Sequence, residues 1–91
     1  MRVKNTNVFT EEEINDIRER LLYLREKLGM TSDLVLGWCR VCNTNEVKIA
    51  SKQSYNYFLL GKYKRLNDGT LELLQEFLNH IDKIIKTYLN K

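Results

Sequence analysis

The chain has 91 residues, one domain by the usual span of roughly 100 to 200, and at that size only ~60–65 % of the unfolded surface is buried, so a partner subunit would add stability. It contains no proline and four glycines, which argues against the turn-rich all-β and α/β classes and for a few helices on short connections. The net charge of +3 is modest, no run of about 18 apolar residues occurs, and MRVKNTNVF lacks the apolar segment of a secretory signal, so the expected protein is soluble and cytoplasmic with no membrane partner.

Residues 1–9 read as a flexible N-terminal arm of a single domain over 1–91. Phe9-Thr10-Glu11-Glu12-Glu13-Ile14 is a helix start: Thr10 can cap, Glu13 can reach back as the capping-box partner, and Phe9 can staple to Ile14. Three glutamates in the first turn suit the positive end of the helix dipole. Ile14, Ile17, Leu21, Leu24 and Leu28 then recur at steps of three and four, which predicts a first helix to about Leu28 with Gly29 as its stop.

Thr31 or Ser32 can cap a second helix running to roughly Cys42, with Leu34, Val35, Trp38, Val41 and Cys42 as candidate inward residues. The third helix has two candidate starts. Asn43 and Glu46 form a capping pair that opens it at Thr44, or it opens at Ser51 and leaves NTNEVKIA as a loop. In either case Tyr55, Phe58 and Leu59 share one side and Gly61 ends the helix. Asn67 or Asp68 caps a last helix over 68–90 that carries Leu71, Leu74, Leu78, Ile81, Ile85 and Tyr88, with Leu73, Phe77 and Ile84 widening the stripe. So much apolar surface reads in two ways: as a homodimer seam through Leu78, Ile81, Ile85 and Tyr88, or as a face that wraps the other helices.

Trp38-Cys39-Arg40-Val41-Cys42 has the spacing of a thioredoxin-type W-C-x-x-C site, but that fold needs several strands and a proline facing the disulfide, and the chain has no proline. A structural zinc takes four ligands, and beyond the two cysteines only His80 is on offer. The cysteines therefore read as small buried hydrophobes, and no metal, cofactor or catalytic group is assigned. His80 reads as an exposed or interface side chain.

Charge is unevenly placed. Residues 1–50 carry eight basic and eight acidic groups, whereas Lys48, Lys52, Lys62, Lys64 and Arg65 lie between Val47 and Asn67 with no acidic residue among them. Tyr55, Tyr57, Phe58 and Tyr63 are interleaved with these charges, and a polyanion is the natural partner of such a segment.

Ser51-Lys52-Gln53-Ser54, then Tyr55 and Phe58, then Gly61-Lys62-x-Lys64-Arg65 and a helix bearing Leu71, Leu74 and Leu78, resembles the recognition helix and following loop of lambda-repressor-like (Xre-type) helix-turn-helix domains. In lambdoid phage repressors that helix opens with a similar Thr/Ser-Gln-Gln-Ser run and ends at Asn-Gly before a Lys/Arg-bearing loop. Leu24-Arg25-Glu26-Lys27-Leu28-Gly29-Met30-Thr31 is similar to the family's junction between its first two helices. The segment from Ser32 to Lys52 is longer than the family's spacing, as it is in the POU-specific branch of the same superfamily.

The resemblance implies an all-α, four-helix domain with a long C-terminal helix, acting as a transcriptional repressor or other regulator of a phage or mobile element. It would bind double-stranded DNA as a homodimer at the nucleoid. Lys52, Gln53, Asn56 and Tyr57 would read bases in the major groove, where Gln and Asn match adenine and Lys matches guanine. Ser32, Ser51, Ser54, Lys62, Lys64 and Arg65 would hold phosphates. Two other readings stay open. Tyr55, Tyr57 and Tyr63 are candidate stacking platforms for single-stranded nucleic acid or RNA. A protein-binding module on the same scaffold, an antirepressor or an inhibitor of a host protein, is favoured if Leu59 and Leu60 are exposed.

Overall fold

Four helices follow one another in the chain: α1 (Glu11–Leu28), α2 (Ser32–Val41), α3 (Lys52–Leu59) and α4 (Asp68–Leu89). The computed structural model describes residues 9–44 and 46–89, and side chains as far as residue 87. No strand occurs among the described residues, so the all-α class with four helices and a long last one is as expected. None of the helices among these residues is long and apolar enough to cross a membrane. Residues 1–8 of the expected arm, and Asn90 at the end of the expected last helix, lie outside the described residues. Phe9, assigned to the arm, is instead buried in the core.

The α1 N-terminus forms as its sequence dictates. Thr10 Oγ1 accepts the Glu13 N–H at 3.1 Å while the Thr10 N–H donates to Glu13 Oε1 at 2.9 Å, a reciprocal capping box. Ile14, Ile17, Leu21 and Leu24 are buried, but Leu28 is exposed, because the helix outruns the core before Gly29 ends it at φ +69°. Thr31 caps α2, accepting the Leu34 N–H at 3.2 Å. The inward face of α2 is Ser32, Val35, Leu36 and Cys39. Two expected inward residues, Leu34 and Val41, face solvent; the spacing of apolar residues on a ten-residue helix fits two faces, and packing selects one.

Each of α1 and α2 packs against both α3 and α4, around Tyr55, Phe58, Leu71, Leu74 and Phe77. Burial pushes the Cys39 thiol up to about 11, with Cys42 as the next cause, so it stays protonated at neutral pH. Burial likewise raises the Tyr55 phenol. Cys39 and Cys42 are free thiols; Cys39 is buried as expected and Cys42 half-buried. His80 is exposed, its ring stacked on Trp38 at 5.9 Å.

The choice between the two starts of the third helix falls on Ser51. Asn43 does not cap a helix; its side chain holds the Val47 backbone, with Nδ2 donating to Val47 O at 2.7 Å and Oδ1 accepting the Val47 N–H at 3.0 Å. Glu46 sits at φ +55°, outside the helical region. The loop is then pinned to the start of α4: Asn67 Nδ2 donates to Lys48 O at 2.8 Å, and Thr70 Oγ1 accepts the Ala50 N–H at 3.0 Å while donating to Asn67 Oδ1 at 2.7 Å. Val47, Ile49 and Ala50 pack against the core. The connection between α2 and α3 is thus tied across the N-terminus of α4.

Gly69 permits that approach, since a Cβ there would stand 2.9 Å from Val47 Cβ. In Gly69→Ala the helix-propensity gain of up to ~1 kcal/mol is set against an overpacking cost of about 1–3 kcal/mol, so denaturant unfolding should show a net loss. The same substitution in a Val47→Gly chain, which lacks the opposing Cβ, should be neutral or stabilising. Equal losses in the two backgrounds would refute the contact.

Candidate nucleic-acid interface

The outward side of α3 is set by what the helix buries. Ser51 caps it, Oγ accepting the Ser54 N–H at 3.2 Å, and Tyr55, Phe58 and Leu59 turn inward. With 3.6 residues per turn, Lys52, Gln53, Asn56 and Tyr57 share the opposite side. Lys52 and Gln53 are exposed, and Asn56 and Tyr57 are half-buried. These are the four residues to which the family resemblance would give base reading. Leu60 continues the same side at 63 % exposure, whereas Leu59 is 2 % exposed.

Gly61 ends α3 with φ +85°. Its N–H donates to Phe58 O at 3.1 Å and that of Lys62 to Tyr57 O at 2.9 Å, the paired bonds of a Schellman motif. Lys62 is thereby brought over the Tyr57 ring, Nζ 5.5 Å from the centroid, and Tyr63 meets Tyr57 edge-to-face at 5.4 Å. Gln53 Nε2 donates to the Tyr57 hydroxyl at 3.1 Å. Gln53, Tyr57, Lys62 and Tyr63 therefore form one connected surface at the end of α3.

Two acids that are distant in sequence enter this region. Asp33, on the first turn of α2, pairs with Lys52 at 3.2 Å, and Asp68, on the first turn of α4, pairs with Arg65. The local absence of acids in the sequence thus overstates the positive field. Among the described residues Lys48, Lys62 and Lys64 are in no ion pair. The Lys52–Asp33 pair is solvent-exposed, and such pairs contribute at most about 1 kcal/mol, so it can open in favour of another acceptor.

The expected phosphate-holding serines have other partners. Ser32 is 7 % exposed and its hydroxyl donates to Asn56 Oδ1 at 2.5 Å, so it belongs to the interior and orients a neighbour. Ser51 and Ser54 are occupied with each other as cap and first turn. Asn56 keeps acceptor capacity, because an amide oxygen has two lone pairs.

Sequence reading missed Arg18. It projects from α1, Nε donating to Phe58 O at 2.8 Å and Nη2 to Lys64 O at 3.2 Å and Tyr63 O at 3.3 Å, with its guanidinium 4.6 Å from the Phe58 centroid. Asn15 Oδ1 receives Nη1 at 2.6 Å. The cation suits the negative end of the α3 dipole. Its position bordering the apolar stripe of α1 gave no sign of a partner forty residues away.

The expected seam on α4 divides. Leu78 is 2 % exposed and belongs to the hydrophobic core, which makes it a core residue and not a contact residue. Ile81 and Ile85 are half-buried and Ile84 is exposed; the Tyr88 side chain lies outside the described residues. Arg20 of α1 pairs with Asp82 beside them. No family model, curated protein or solved structure matches the chain.

Proposed function

We propose that the chain is a small sequence-specific regulator of the lambda-repressor-like helix-turn-helix type, from a phage or other mobile element, that reads the major groove of duplex DNA with α3. The observation that carries this reading is the outward side of α3. Lys52, Gln53, Asn56 and Tyr57 lie together there, with a lysine-bearing turn beginning directly after Gly61. Amide and ammonium groups on one helix face can match base edges, each good pair being worth ~1–3 kcal/mol of discrimination. Lys62 and Lys64 supply cations for the adjoining phosphates, where they fix register and not sequence. A homodimer through the exposed part of α4 around Ile81, Ile84 and Ile85 would present two such helices to a two-fold site.

Selection of bound duplexes from a random pool at near-physiological salt tests the reading, and an enriched palindrome is the expected result. Gln53→Ala should then relax preference at one base pair, by about 1–3 kcal/mol, and leave the remaining positions unchanged. No enrichment, or a uniform loss across all positions, counts against it.

Leu60 favours a second reading, a protein-binding module on the same scaffold, because an exposed leucine on the proposed reading side is awkward for DNA. Leu60→Ser separates the two. It should leave a duplex complex largely intact but abolish an interface that buries this side chain.

A further inference from the structure

We propose that Arg18 is the positioning residue for the phosphate-holding turn, although it lies on α1 outside the set that faces DNA. The inference rests on the duplex-binding reading above and adds to it the group that holds the two halves of the surface together.

The turn after Gly61 is irregular backbone, and the side chains of Lys62 and Lys64 are exposed. Its first residues are tied to the end of α3 by the Schellman bonds. Farther on, Arg18 Nη2 donates to the Tyr63 and Lys64 carbonyls, while Nε of the same guanidinium donates to Phe58 O, the last-turn carbonyl of α3. One rigid planar group therefore spans the helix that reads and the turn that clamps, and it is itself anchored by Asn15 and seated on the Phe58 ring. Moving that guanidinium changes where Lys62 and Lys64 stand relative to Gln53 and Tyr57. Lysine cannot replace it, since an ammonium is a point donor on a flexible stem and lacks the fork that serves both sites.

The experiment is a double-mutant cycle on duplex affinity, using Arg18→Lys in the wild-type chain and in Lys62→Ala/Lys64→Ala, with circular dichroism confirming that every variant is folded. The probe is a mixed-sequence duplex titrated over a range of salt concentrations. In the wild-type background Arg18→Lys should weaken binding roughly tenfold and make the log–log salt slope shallower by about 2, although its charge is retained. In the double-alanine background the same change should cost less than about twofold, because the contacts through which it acts are gone. Equal losses in both backgrounds, or an unchanged salt slope, overturn the positioning role and leave Arg18 a general stabiliser. A wild-type chain that binds no duplex overturns the reading itself, a different result from additive losses in a chain that does bind.

Discussion

Binding of the wild-type chain to duplex DNA should weaken with salt along a log–log slope of roughly −5 to −7, and Lys62→Ala/Lys64→Ala should bring the slope to about −2 to −4. The expectation follows from counterion release. Three or four phosphates neutralised by each subunit make six to eight for a dimer, each contributing about −0.9. The double substitution removes two cations per subunit, neither of which is in an ion pair among the described residues. Affinity at physiological salt should fall by two to three orders of magnitude, alike on specific and unrelated sequences, because phosphate contacts carry no base information. Arg65→Ala should change the slope less, since its charge is already shared with Asp68. Fluorescence anisotropy on a labelled duplex over a series of salt concentrations gives these slopes directly. A wild-type slope near −1 would end the duplex-binding proposal.

Phe58→Ala should cost ~3–5 kcal/mol, the usual range for emptying a fully buried aromatic site. Phe58 is 0 % exposed and carries the guanidinium of Arg18 on its ring. At about 0.05–0.15 kcal/mol per residue, a chain of this length has a total stability of roughly 5–14 kcal/mol, so this one change consumes a large part of it. Urea unfolding followed by circular dichroism should show the loss, with a melting temperature lower by at least about 12 °C. Leu60→Ala, two residues on and 63 % exposed, should stay within about 0.5 kcal/mol of wild type. Similar effects at both positions would mean that the C-terminal end of α3 is not seated as described.

Much of the fold was legible from local patterns. Thr10 with Glu13, Gly29 and Gly61 bound their helices as the residue types predict, and Thr31 and Ser51 are each one of two starts the sequence offers, because caps and left-handed glycines act within a few residues of themselves. The side of α3 that carries Lys52, Gln53, Asn56 and Tyr57 was legible too, since Tyr55, Phe58 and Leu59 define the opposite side by spacing alone. What each of those groups touches was not. Ser32 meets Asn56, Asp33 meets Lys52 and Arg18 meets Phe58 across the fold, and no local signal announces a partner brought in by packing.

The sequence by itself determined the all-helical class, both ends of α1, the glycine stop of α3 and which side of α3 is left outward, because periodicity and capping are short-range properties of the chain. Tertiary structure alone decided three things. Residues 43–44 and 46–50 lie in a loop against α4, which depends on the close contact between Val47 and Gly69. Leu36 and Cys39 face inward on α2 in place of Leu34 and Val41. Arg18 spans the end of α3 and the turn beyond it. Each turns on which surfaces come within contact distance, a quantity that spacing along a single chain does not contain.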